Sequence, residues 1–374
     1  MKVYYVPLKV IARQDTLPNF FGLLPILRSI LIREQIQIVH AHQALSSMAH
    51  EAIFHAKGLG LRAVFTDHSL FDFADVGSIL TNKLLRFALN DADHVVCVSH
   101  TGRENTVLRA KLKPKDVSTI PNAIDPSQFY PTGTAPKDHI CIVVLSRLMY
   151  RKGIDLLLSA IPELCDRHLD ITFLIGGDGP KFVDLEQMRE RFMLQDRVHL
   201  VGAIRQRDVN HHLNAGHIFL NTSLTEAFGT SIIEATCAGL CVVSTRVGGI
   251  PELLPTSMIR LAQPTTEVAI VSQTSLAIEQ IRRKQHDPWR QHHAVKQMYS
   301  WSDTVKRLER VYAHVMQLPP RTSTDRFSRH WTRDGIIAGK ILCIIIAVQM
   351  VMFLLLDMLY PAKKIPRARN LQAI

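Results

Sequence analysis

The sequence predicts an α/β protein: two doubly wound parallel-sheet domains, then one apolar C-terminal helix. Three observations predict it. Short β-branched apolar runs alternate with amphipathic stretches along most of the chain. A stretch rich in proline and turn residues, IPNAIDPSQFYPTGTAPKD at 120–138, interrupts that rhythm once. Near the end, GIIAGKILCIIIAVQMVMFLLL (Gly335–Leu356) carries a single charge, Lys340. A chain of 374 residues is too long for one typical core and suits two domains plus a tail.

The first domain is expected over 1–121, with strands at VYYVPL (3–8), IQIVHA (36–41), RAVFTD (62–67), HVVCVS (94–99) and VSTIP (117–121). Helical patterns such as SSMAHEAIFHAKG and ILTNKLLRFALND separate them, which is the alternation of a parallel sheet. Residues 122–138 read as a linker. The rhythm restarts over 139–316 with strands at 140–148, 171–177, 198–202, 217–223, 241–246 and 258–262, and closes on the amphipathic WSDTVKRLERVYAHVMQL. A basic connector (317–334), a membrane-spanning helix (335–356) and a short basic tail (357–374) complete the expected organisation. Two facing domains of this kind place a ligand in the crevice at the carboxyl ends of their strands.

Lys and Arg exceed Asp and Glu by 44 to 33, a surplus of +11 that suits an anionic ligand or membrane surface. Nucleic acid is not expected, because the sequence has no finger spacing, no aromatic RNA-binding motif and no dense basic block. Cys97, Cys141, Cys165, Cys237, Cys241 and Cys343 lie mostly in apolar runs without C-x-x-C, as reduced and buried thiols do. MKVYYVPLKV is too short and interrupted an apolar stretch for a signal peptide. The 22 residues of Gly335–Leu356 would extend roughly 33 Å as a helix, enough to cross a bilayer core. Arg321, Arg326, Arg329 and Arg333 precede it, and Lys363, Lys364, Arg367 and Arg369 follow it. Equal flanks leave orientation undecided by charge.

TEAFGTSIIEA (225–235) sets Glu226 and Glu234 eight residues apart. On one continuous helix they would stand about 80° apart. A helix beginning at Gly229 or Thr230 instead leaves Glu226 in the entering loop and Glu234 on the second turn, so both could flank a ligand above the helix N-terminus. LSRLMYRKGID ends a strand with Arg147 and opens a helix near Lys152, two cations suited to a diphosphate or simply two surface bases in a turn. GGDGPK (176–181) and STRVGGIPELL (244–254) are glycine turns after strands; Gly177 lets a ligand approach the backbone.

Taken together, Arg147, Lys152, GGDGP and Glu226-x7-Glu234 resemble the retaining glycosyltransferases of family 4, whose GT-B architecture sets two Rossmann-like domains across a cleft. The resemblance implies that Arg147 and Lys152 clamp UDP, that Glu234 takes the ribose hydroxyls, that Glu226 faces the transferred sugar and that Gly177 and Gly229 lie against the donor. FTDHSLFDFADVGSILTNKLL, SRLMYRKGIDLL, IPELC, FLNTSLTEAF and VVSTRVGGIPE are similar to the family of phosphatidylinositol N-acetylglucosaminyltransferase catalytic subunits. That likeness implies transfer from UDP-GlcNAc to phosphatidylinositol, companion membrane subunits, no metal or cofactor, and an endoplasmic reticulum location with both domains cytosolic and the tail lumenal. It makes His68 of TDHS the histidine that contacts the donor sugar. His40 and His42 of HAHQ have no third ligand that would make them a metal site. Asn221-Thr-Ser is formally a glycosylation acceptor that a cytosolic strand end would leave unused. The likeness begins downstream of the family's first strand and glycine-rich loop, so reduced turnover is expected. The rival reading is a non-catalytic protein that binds nucleotide or supports assembly of the same complex.

Overall fold

The computed structural model describes residues 2–8, 10–12, 15–16, 19, 21–70, 76–333 and 336–368. The chain forms two compact units, Met1–Ile120 with Lys306–Ile374 and Pro121–Val305. The division differs from the expected domains at both ends. Residues 122–138 pack with the second unit: Phe129 is buried, and the Ile124 N–H donates to Tyr299 O at 3.1 Å. Residues 306–316 return to the first unit.

In the first unit the elements run β1 (Val10–Ala12), β2 (Asp15–Thr16), α1 (Leu24–Arg33), β3 (Ile38–His42), α2 (Ser47–Gly58), β4 (Arg62–Asp67), α3 (Val76–Asp91), β5 (His94–Cys97), α4 (His100–Ala110) and β6 (Val117–Thr119). β3-β4-β5-β6 form a parallel sheet in sequence order, and β1 and β2 make a separate antiparallel ribbon. The expected strand at 3–8 does not form. Among the described residues no ladder forms with VYYVPL, so its β propensity goes unrealised, and the side chains of Lys2 and Tyr4 reach Glu34.

Alternation along the strands divides the core. Ala63, Phe65, Val95 and Cys97 face one cluster with Ile53, Leu85 and Leu89. Val64 and Val96 point the other way, onto Val311 and Val315. Those two valines belong to the amphipathic helix that closes the core-forming stretch of the chain, so its second half covers the first sheet.

The second unit adds β7 (Ile140–Leu145), α5 (Ile154–Arg167), β8 (Ile171–Gly176), α6 (Phe182–Arg191), β9 (Val198–Gly202), α7 (Val209–Asn214), β10 (Ile218–Asn221), α8 (Thr230–Cys237), β11 (Cys241–Thr245), β12 (Ile259–Ala262), α9 (Glu267–Arg282) and α10 (Pro288–Met298). Its six parallel strands are ordered β12-β11-β10-β7-β8-β9. The chain winds outward from β7 to β9, then returns to β7's other side at β10, which puts the topological switch between β7 and β10. Fully buried Ile142, Leu157, Ile161, Phe173, Leu220 and Val243 share one core.

α11 (Trp301–Gln317) carries the chain from the second unit back to the first, where α12 (Ser323–Arg333) and α13 (Ile336–Leu359) follow. The apolar span thus begins at Ile336 and runs three residues past the expected Leu356; Gly335 lies outside the described residues. α13 buries Ile346 and Gln349 and turns Ile341, Ile344, Val351, Leu354 and Met358 outward. Gln349 donates to Phe54 O at 3.1 Å, meets His55 Nδ1 at 2.9 Å and accepts from Arg326 Nη1 at 3.1 Å. Arg326 also pairs with buried Asp91 at 2.6 Å, and Arg321 with Asp93 at 3.3 Å. Two of the basic residues expected to flank the membrane helix are therefore neutralised inside the first unit. Burial alone would raise the Asp91 pKa, but Arg326 and His330 outweigh it and hold the carboxylate well below its usual range.

Replacing Arg326 with Met leaves Asp91 buried with His330 alone. Loss of one partner from a buried pair costs about 3–5 kcal/mol, and thermal unfolding in detergent is expected to show it.

Candidate active site

The site of the second unit assembles where the strands end. β7 delivers Ser146 and Arg147, and β8 delivers Gly176 and Gly177. The two loops interlock by backbone: Ser146 N–H donates to Gly176 O at 3.1 Å and Leu148 N–H to Asp178 O at 2.9 Å. The approach excludes side chains. A β-carbon at Gly177 (φ +139°) would lie 1.8 Å from Ser146 O, and one at Gly179 (φ +153°) 2.3 Å from Leu148 O. Glycine is required at both.

Lys152 closes a short turn before α5, and Gly153 follows with φ +68°. A β-carbon there would stand 1.8 Å from Thr222 O. That close passage ties the turn to the loop after β10: Thr222 Oγ1 donates to Lys152 O at 2.9 Å and Leu224 N–H to Arg151 O at 3.0 Å. The tie brings Lys152 Nζ onto Glu226 as an ion pair, with both side chains mostly buried. Glu226 also accepts from Ser223 Oγ at 3.2 Å, and its carbonyl accepts from Gly249 N–H at 2.9 Å. The second glycine turn, STRVGGIPELL, thus holds the glutamate's backbone.

α8 begins at Thr230 with Gly229 as its N-cap at φ +93°, and no side chain caps it. Its first N–H groups are left for another acceptor. Glu226 stands in the loop before the helix and Glu234 on its second turn. Burial raises the Glu234 pKa, offset to some extent by a hydrogen bond from Gln206. Arg147, Gly177 and Glu234 line one cavity of about 370 Å³ together with Asp178, Ile204 and Ser231. Lys152, Glu226 and Gly229 do not line it. Ile204 and Gln206 escaped the sequence reading, whereas Asp178 and Ser231 lie inside its motifs GGDGPK and TEAFGTSIIEA without being singled out. Ile204 follows a strand end, in VGAIR, as the other loops do, and that position was the available signal.

His68 belongs to the first unit, just after β4. Its Nε2 lies 3.1 Å from His42 Nδ1. Burial lowers its pKa, with the charge of His42 acting in the same direction and Asp67 opposing. His40, His42 and His68 stack, and no group of three ligating side chains among the described residues could hold a metal. Asn221 is buried and donates to Ser244 Oγ at 2.8 Å, so the acceptor sequence at 221 is closed to modification in the folded chain. Five cysteines are buried and Cys343 is partly so.

Residues 130–261 match the family Glycosyl transferases group 1, and residues 1–75 match PIGA (GPI anchor biosynthesis). The chain is 49% identical over 369 residues to the phosphatidylinositol N-acetylglucosaminyltransferase gpi3 subunit of Schizosaccharomyces pombe, covering 98% of this chain and 80% of that one. The chain belongs to the gpi3 family of phosphatidylinositol N-acetylglucosaminyltransferase subunits. The human member is likewise 49% identical, over 96% of this chain and 75% of its own length. Among solved structures, Anabaena Alr3699/HepE in complex with UDP superposes with a TM-score of 0.66 at 18% identity, over 78% of this chain and 82% of its own. That similarity shows the GT-B glycosyltransferase fold. The relatives carry the name of the transferase, which lends nothing to a non-catalytic rival.

A Gly177→Ala chain is expected to lose about 1–3 kcal/mol of stability, since its β-carbon would clash with Ser146 O and the two loops must separate. Denaturant unfolding reads the loss.

Proposed function

We propose that this chain transfers N-acetylglucosamine from UDP-N-acetylglucosamine to phosphatidylinositol with retention of configuration, the first step of GPI-anchor biosynthesis. The observation that carries the reading is the cavity at the carboxyl ends of β7 and β8, where Arg147, Gly177 and Glu234 meet beside the first turn of α8. Its size suits a nucleoside. Glu234, half-buried on the cavity wall, accepts hydrogen bonds from the ribose hydroxyls. Arg147 and Lys152 neutralise the diphosphate, helped by the uncapped N–H groups at Gly229 and Thr230.

Glu226 orients the sugar. When the diphosphate leaves, an inositol hydroxyl attacks from the same face, and the departing phosphate oxygen takes its proton. Stabilising that departing charge is the largest contribution, so the two cations and the helix end carry most of the rate. His68 of the first unit is assigned the contact with the donor sugar that its likeness to the family implies.

The chain works within a multi-subunit complex of the endoplasmic reticulum membrane, with its α/β units cytosolic. α13 anchors it: Ile337–Leu359 is long and apolar enough to cross a bilayer, and little of it is buried in the protein. One observation favours a second arrangement of that helix. Near its far end, Arg28 Nη1 donates to Tyr360 O at 3.1 Å, and Ala368 N–H donates to Arg33 O at 2.8 Å. These contacts keep the tail on α1, as in a helix lying along the first unit with only its outer stripe in lipid. A Lys364→Cys chain in sealed microsomes separates the two. Protection from an impermeant maleimide supports the crossing helix, and labelling supports the lying one.

Transfer itself is tested in membranes stripped of the endogenous enzyme and given labelled UDP-GlcNAc. Lys152→Ala and Glu226→Ala are each expected to lower product by at least about 100-fold, the scale for losing a group aimed at developing charge in the first case and one that positions the sugar in the second. Both chains should still resist carbonate extraction. Normal turnover by either would remove its residue from the site.

A further inference from the structure

β3 ends in His40-Ala-His42, and the period of a strand puts both imidazoles on one face of the sheet. The neighbouring strand β4 ends at Asp67, one residue before His68. Three imidazoles therefore meet at the carboxyl edge of the first unit's sheet. His40 and His42 stack with centroids 4.4 Å apart, and His42 and His68 with centroids 5.4 Å apart.

The three rings are not equivalent. Both ring nitrogens of His40 are occupied, Nδ1 by Tyr312 Oη at 2.6 Å and Nε2 by Thr66 Oγ1 at 2.7 Å. That ring is a fixed floor with no atom left for a ligand. His42 lies on it and points Nδ1 at His68 Nε2, 3.1 Å away. The backbone beyond is held too: Gln43, at φ +80°, donates its N–H to Thr66 O at 3.1 Å and accepts from Ser69 Oγ at 2.8 Å. His68 Nδ1 has no hydrogen-bond partner among the described residues.

We propose that His42 is a positioning residue for transfer: its Nδ1 fixes the ring orientation and tautomer of His68, so that His68 Nδ1 is presented to the donor sugar. The inference rests on the reading of His68 as a sugar-contacting residue. Two neutral imidazoles joined by one hydrogen bond share one proton between the bonded nitrogens, so the protonation of His42 Nδ1 dictates that of His68 Nε2 and thereby of Nδ1.

The surroundings keep the pair neutral. Burial, then the charges of His42 and His68, push the His40 pKa down to about 4. Burial lowers His42 as well. Among the described residues the charged group facing His68 is Asp67, whose carboxylate is itself engaged by Ser69 N–H, Thr106 Oγ1 and Arg109. Tyr312 is the titratable group that α11 presents, on the His40 side. Among the described residues no unengaged carboxylate faces the stack, so a proton added to it is shared only with the second imidazole, and the bond between the rings is lost once both are protonated.

The test is His42→Phe, which keeps an aromatic ring on His40 and removes the bond. Turnover is expected to fall roughly 10–100-fold, by analogy with the loss of a partner that orients a metal-bound imidazole. KM for UDP-GlcNAc should stay within about twofold, and His42→Asn, which restores a polar partner, should recover some of the loss. In a His68→Ala background, His42→Phe should cost nothing further; additive losses overturn the proposal. An independent readout is 15N NMR of histidine-labelled protein. His42→Phe should change the His68 tautomer ratio and titration midpoint, and an unchanged His68 spectrum overturns the coupling whatever the activity does. Full turnover by His68→Ala alone would instead defeat the underlying reading of His68, and it leaves the NMR coupling intact as the distinguishing sign.

Discussion

Backbone at Gly177 passes so near Ser146 O that an added β-carbon would sit 1.8 Å away, and backbone at Gly153 passes as near to Thr222 O. These two approaches set the geometry of the second unit's site. The first locks the loop after β7 to the loop after β8 and leaves Arg147 on the cavity wall. The second draws the turn before α5 under the loop after β10, and so places Lys152 on Glu226. A side chain at either glycine would separate strand ends that the parallel sheet has already aligned. Charge enters afterwards, on a frame fixed by steric fit.

Much of this frame is legible in the sequence because it is local. Fully buried parallel strands are continuous apolar runs, and ICIVVL, ITFLIG and CVVST read as such with ends displaced by only a few residues. The start of α8 at Thr230 follows from Gly229, which admits the left-handed backbone before the helix. What the sequence hid is long-range choice. The apolar stripe of α11 announces a buried face but not which sheet it covers, and Val311 and Val315 turn out to pack on Val64 and Val96. The ion pair of Lys152 and Glu226 joins positions 74 apart, and the bond from His40 to Tyr312 spans 272. No periodicity encodes such pairings. VYYVPL errs in the opposite sense: its residues prefer a strand, but a strand exists only beside another.

Basic residues before α13 illustrate the same limit. Counted in the sequence, Arg321 and Arg326 belong to a positive flank. Folded, they answer Asp93 and Asp91, and Arg326 also reaches Gln349 on the apolar helix. Buried polar groups in such a place must be fully paired, because an unmet one is costly away from water. The pairing gives α13 one fixed face toward the rest of the first unit and leaves the opposite apolar face exposed, so the helix has a defined rotation as well as a defined length.

Lys152 meets Glu226 within the chain itself. An ammonium already satisfied by a carboxylate makes a poor trap for stray anions: inorganic phosphate would have to displace an internal partner and would offer Glu226 nothing in return. A ligand that brings both a phosphate for the lysine and a hydroxylated sugar for the glutamate compensates each side at once. On the proposed function, the ion pair would set an entry threshold that a nucleotide alone meets poorly and a whole nucleotide sugar meets well, so that selectivity among abundant cellular phosphates would precede any contact with the base.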